Sequence, residues 1–151
     1  MRWKVLAYLF LGTLVAAQFI RPTLGNQAPV TQDEFGQLFH PPAEIKHMLK
    51  RACYDCHSNH TNYPWYAHIQ PMGSYLDKHI ADGKAELNFD EFTQYKGKRR
   101  FSKLMAVKES VISGDMPLRS YQLLHPESKF SDQEKATLLH WIQQVGKKGK
   151  P

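Results

Sequence analysis

Residues 51–60, "RACYDCHSNH", hold the only two cysteines of the 151-residue chain, Cys53 and Cys56, with His57 directly after the second. Just upstream, "PAEIKHMLKRACYDCH" places Ile45, Met48, Leu49 and Ala52 at i, i+3, i+4 and i+7, one face of a helix entered through Pro42. On the same predicted helix Cys53, Cys56 and His57 fall at i, i+3 and i+4. All three side chains can therefore point at a single object.

Working outward, helical periods continue. In "PMGSYLDKHIADG" Met72, Tyr75, Leu76, His79 and Ile80 share a face, and Gly83 is placed to end the helix. A short helix is expected in "ELNFDEF", with Asn88 as cap and Glu91 in the capping-box position. "FSKLMAVKESVISG" keeps the helical period through Phe101, Leu104, Met105, Lys108, Val111 and Ile112 until Gly114 closes it. "DMPLRSYQLLHPES" reads as irregular, because Pro117 and Pro126 interrupt it. The last helix opens on Ser131 and Glu134, a capping box, and carries Leu138, Trp141, Ile142 and Val145 on one face. No sustained strand alternation is present, so the fold class expected is all-α.

Four uses of Cys53 and Cys56 compete. A disulfide across two intervening residues closes so small a loop that it removes little unfolded-state entropy. Zinc needs about four ligands with regular spacing, and His60 and His68 belong to no such pattern. A thioredoxin-like dithiol belongs in an alternating strand and helix context, which is missing. Covalent haem explains every residue of Cys-x-x-Cys-His: two thiols one turn apart each add to a porphyrin vinyl group, and the adjacent histidine lies beneath the iron.

The motifs "CYDCHSNHTNYPWY", "IQPMGSYLDKHI", "ELNFDEF" and "MPLRSYQLLHPESKFSDQEKATLLHWI" occur in that order. In them, residues from about 40 to 145 resemble the small haem-binding domain family of membrane-anchored, c-type cytochrome-like bacterial proteins. The resemblance implies a c-type cytochrome fold, with helices around one covalent haem c, thioethers from Cys53 and Cys56, and His57 as proximal ligand.

With His57 on one face of the iron, the opposite face takes a ligand, water or nothing, and the methionines are the first candidates. Met1 is in the N-terminal segment, and Met48 and Met105 fit core faces, which leaves Met72 and Met116. Met116 precedes Pro117, which disfavours a helical backbone there. Single-haem c-type cytochromes carry the distal methionine in a loop before the last helix, and "GDMPL" resembles that arrangement. Met116 is the expected ligand, with Met72 or a histidine as alternatives. His40, His47, His60, His125 and His140 read as surface or edge residues, and His79 as a packed helix residue. Trp65 and Tyr66, in the aromatic run "NYPWYAHIQP", are expected as pocket wall or propionate donors. A carbonyl of that run is expected to accept from the second nitrogen of His57. Arg99 and Arg100 are weaker propionate candidates than a solvated charge run.

At the N-terminus Arg2 and Lys4 precede an apolar run from Val5 to Ile20, an export signal or a short membrane anchor. Residues 1–20 are thus signal or anchor, 21–41 a linker rich in Pro, Gly and polar residues, 42–146 the haem-binding domain, and 147–151 a basic tail. The net charge of +6 is concentrated partly at the two ends, without a basic stripe interleaved with aromatics, so nucleic acid is not an expected partner.

The function expected is a monohaem c-type cytochrome, a monomeric one-electron carrier and not an enzyme. It would work with redox partner proteins at the membrane, on the periplasmic side of the inner membrane or free in the periplasm if the signal is cut. The alternative is a haem-based sensor that binds a small ligand when its distal ligand is labile.

Overall fold

The computed structural model describes residues 2–20 and 33–148, and among them the chain is all-helical. The expected linker over 21–32 and the end of the basic tail over 149–151 lie outside the described residues. Eight α-helices run in order: α1 (Arg2–Ala17), α2 (Glu34–Phe39), α3 (Ala43–Ala52), α4 (Tyr54–His57), α5 (Met72–Glu86), α6 (Gly97–Ser113), α7 (Arg119–Leu124) and α8 (Asp132–Lys148). Short 3₁₀ segments lie at Trp65–His68, Phe89–Gln94 and Pro126–Ser128.

The core gathers where the periodic faces meet. Ile45, Met48 and Leu49 of α3 share one buried cluster with Leu138, Trp141 and Ile142 of α8 and with Leu104 and Val111 of α6. An ion pair from Arg51 Nη2 to Glu134 Oε1, 2.6 Å, ties α3 to the start of α8. That start is the expected capping box: Ser131 N donates to Glu134 Oε2 at 2.9 Å, and Glu134 N donates to Ser131 Oγ at 3.2 Å.

Four expectations change. The linker ends early, because α2 buries Phe35 to 2% exposure against the rings of Phe89 and Phe92, each 4.9 Å away. The helix expected from Pro42 through His57 breaks at Cys53 (φ −126°, ψ −41°). Tyr54 lies two residues beyond Ala52, half a turn off the buried face of a straight helix. The break turns it inward, to stack on Phe89 at 5.0 Å and donate to Asp33 Oδ1 at 2.9 Å. Helix α5 does not stop at Gly83 but runs on to Glu86. The stretch after Pro117 is not irregular, since it forms α7 and the 3₁₀ turn at Pro126–Ser128.

Among the described residues no helix is long and apolar enough to cross a membrane. The side chains of α1 are almost all exposed, with Trp3, Tyr8 and Phe10 well over half accessible. The last turn after α1, through Ile20, is nevertheless fastened to the domain by hydrogen bonds between Gln18 and Gln70.

Candidate functional site

Cys53 occupies the break between α3 and α4, and its carbonyl accepts from Cys56 N at 3.2 Å and His57 N at 2.9 Å. One turn of backbone therefore keeps the two sulfurs and the imidazole together although the helix itself is interrupted. Both thiols are free. Burial, reinforced by Cys56, pushes the Cys53 thiol up to about 12. Burial and the neighbouring Asp55 push that of Cys56 up to about 11. Neutral thiols in an apolar wall are poor thiolate nucleophiles. Among the described residues no three His, Cys, Asp or Glu side chains converge to hold a metal ion, so a tetrahedral zinc site finds no second pair.

His57 is held from α5. Its Nδ1 lies 2.9 Å from Gly83 O and 3.0 Å from Leu87 O, so Nδ1 carries the proton and donates to both. Nε2 is left as the ring atom that could coordinate a metal. The expected carbonyl in the aromatic run is not the one used; the acceptors come from the far end of the next helix. Gly83 is at that position because a Cβ there would stand 2.8 Å from Cys56 O, closer than packing permits. The glycine anticipated as a stop signal is instead a point of close approach between α5 and the Cys-x-x-Cys-His turn.

The residues after His57 are clamped by a buried polar buckle. Asp90, with no exposed side-chain surface, accepts from Asn59 N at 2.7 Å and pairs with His60 Nδ1 at 2.8 Å. Asn88 Nδ2 donates to Asn59 Oδ1 at 2.9 Å. Asn88 also caps the 3₁₀ segment, accepting from Asp90 N at 3.1 Å. Glu91 does not complete a capping box; its Oε1 accepts from Asn59 Nδ2. His60, read as a surface residue, is thus part of the clamp.

Two apolar clefts meet at His57. The first is bordered by Cys53, Leu87, Phe89, Val107 and Phe130, the second by Ala52, Cys56, His79, Leu118 and Tyr121. His57, Glu86, Met116 and Pro117 line both. Met116 is thereby on the same hollow as His57, whereas Met72 borders a third, near Cys56 and Tyr66, without His57. Met116 is 37% exposed, and its N–H donates to Ser110 O at 3.2 Å.

Tyr66 is buried at the Cys56 side and shares a hydrogen bond with His125 Nε2, 2.8 Å. Trp65 differs from expectation: it is 75% exposed and turned to solvent. Arg100 is not free for an anion, since its Nε donates to Tyr95 O at 2.7 Å, and Arg99 lies over the Tyr95 ring.

Three lining residues escaped the sequence reading. Lys103 borders the first cleft and pairs with Glu86 Oε1 at 2.6 Å, which holds the Glu86 carboxyl below its ordinary range. Its neighbour Leu104 carried the periodic signal, and a lysine beside an apolar face reads as solvated. His79, taken as a packed residue, lines the second cleft. Tyr121 OH donates to Asp55 Oδ2 at 2.7 Å, and burial followed by that hydrogen bond raises its phenol. No spacing rule links Tyr121 to Asp55.

The arrangement suits a flat, largely apolar group carrying an iron: a slot of hydrocarbon walls, two thiols at its edge and the His57 imidazole with its Nε2 available. A protein-family model described as a haem-binding domain matches residues 12–144. No curated protein and no solved structure matches the chain.

Proposed function

The chain belongs to the haem-binding domain family, and from that premise we propose that it is a monohaem c-type cytochrome carrying one electron at a time outside the cytoplasm. The observation that carries this reading is the bonding of His57 Nδ1 to Gly83 O and Leu87 O, which reserves Nε2 where two clefts meet, one bordered by Cys53, the other by Cys56 and both by Met116.

The group, when bound, supplies an iron that takes up and returns one electron. Cys53 and Cys56 would hold it, each by adding its S–H across a vinyl group, sulfur to one carbon and the proton to the other, with no oxidant required. His57 would ligate through Nε2 and Met116 through its thioether. A histidine and methionine pair raises the reduction potential and leaves no open position, which favours outer-sphere transfer to redox partner proteins over chemistry on oxygen. The apolar walls would limit the reorganisation that accompanies a change of charge. The N-terminal helix would hold the domain at the periplasmic side of the inner membrane.

A second reading, a sensor in which Met116 leaves the iron to a small ligand, draws on the partial exposure of Met116. One experiment separates them. The intact mass of the exported protein is expected to exceed that of the chain by one haem that survives acid-acetone extraction. The reduced form is expected not to bind carbon monoxide. Rapid binding would favour the sensor, and extractable haem would overturn covalent attachment.

A further inference from the structure

Gln70 is buried, and it spends its polar atoms on the N-terminal segment. Gln18 Nε2 donates to Gln70 O at 3.0 Å, Gln70 N returns a bond to Gln18 Oε1 at 3.0 Å, and Gln70 Nε2 donates to Ile20 O at 2.9 Å. Gln70 Oε1 accepts from Ser74 Oγ at 2.9 Å, so the clamp is rooted in the first turn of α5.

Around this clamp the surface is unusual. Residues 63–76, "YPWYAHIQPMGSYL", contain no Asp, Glu, Lys or Arg in a chain that is 23% charged. Four of them are large, apolar or aromatic and exposed: Trp65, Ile69, Met72 and Tyr75. They flank Gln70 on both sides.

We propose that this surface, Trp65, Ile69, Met72 and Tyr75, is a membrane-contact face that lies in the headgroup layer of the bilayer entered by α1. The proposal rests on reading the N-terminal helix as the membrane segment. The apolar run ends at Ile20 with Arg21 next, which sets the boundary between hydrocarbon and headgroups at that point when the helix is in lipid. Gln70 bonds to Ile20 itself, so its neighbours share that depth. Helix α1, at 16 residues, rises about 24 Å against a hydrocarbon core of roughly 30 Å, and so cannot lift the domain clear of the surface. Trp and Tyr with an apolar body and a polar tip are the residues that settle at this layer. The consequence is orientation: the cleft edge at Cys56, which Met72 and Tyr75 also border, lies beside the membrane, and the opposite face is offered to partners.

The test uses the full-length holoprotein in vesicles of phosphatidylcholine and phosphatidylglycerol, with the photoreactive p-benzoylphenylalanine in place of Trp65 or, as control, of exposed Ile112. Irradiation is expected to attach a phospholipid at position 65 and none at 112. Gln18→Ala, which removes two clamp bonds without touching the domain, is expected to lose most of the adduct at 65 while the protein still sediments with vesicles. Lipid-bound protein with no adduct at 65, with equal adducts at both positions, or with a cross-link from 65 to a second copy of the chain overturns the proposal. Failure to sediment with vesicles overturns it together with the membrane reading of α1, and the haem spectrum reports separately on the carrier reading.

Discussion

The two sides of the cleft are built differently. On the His57 side the polar groups form a buried network: two carbonyls on Nδ1, Asp90 Oδ2 on the amide of Asn59 and on His60, with Gly83 admitting α5 against Cys56. On the Met116 side the methionine is part-exposed, and its own backbone has one hydrogen bond across the turn, to Ser110. A buried network gains in strength from low dielectric surroundings and resists displacement, whereas a loop with few buried contacts opens at low free energy. The His57 side is therefore a fixed frame, and on the proposed reading the Met116 side is where the potential and ligand access would be tuned.

The heaviest blow to the fixed side is the double replacement of Cys53 and Cys56 by Ala. It should yield a chain whose haem is removed by acid-acetone extraction and whose helix content by circular dichroism is reduced, because the cofactor stabilises whatever binds it. Full retention of haem after extraction would refute attachment through these sulfurs. Asp90→Ala strands the buried amide of Asn59 and should cost about 1–3 kcal/mol, a large share of a domain stability of roughly 5–15 kcal/mol. A thermal melt followed at the haem band that matches the parent protein would mean that the buckle holds nothing. Gly83→Ala should cost about 1–3 kcal/mol by overpacking and shift the reduction potential as the carbonyls on His57 move; an unchanged potential counts against their role. Met116→Ala should leave the covalent haem in place, yet admit carbon monoxide to the reduced iron and lower the potential. If Met72→Ala does so and Met116→Ala does not, the distal ligand is the other methionine.

The features carried by local pattern were legible. The faces of α3 and α8 follow from apolar periodicity alone, that of α6 does so except at Ile112, which is 45% exposed, and the capping box at Ser131 marks its helix because both partners are three residues apart. Gly114 closes α6 in a left-handed conformation (φ 78°), the backbone that glycine adopts freely. What escaped depends on partners distant in sequence. Cys53 breaks its helix to satisfy Tyr54, whose partners Asp33 and Phe89 are remote along the chain. Gly83 has the same composition signal whether it ends a helix or admits a neighbour. Phe35 looked like linker because a six-residue helix shows too little of a period to read, although two rings on either side of a glycine, Phe35 and Phe39, were a hint of burial. Trp65 was placed inward on residue type alone, and an amphipathic ring serves an interface as readily as a core.

The extension of α5 past Gly83 has an electrostatic consequence. The carbonyls that meet His57 belong to the end of a 15-residue helix, where aligned peptide dipoles leave a partial negative charge. With His57 on the iron, that charge pushes electron density through the imidazole and favours the ferric, more positive state. The thioether of Met116, as the proposed second ligand, would act in the opposite sense, a soft ligand that favours ferrous iron. On the proposed carrier reading the working potential would be a balance between a helix terminus acting through His57 and the sulfur of Met116, and lengthening or fraying the last turn of α5 would tune it without any change of ligand.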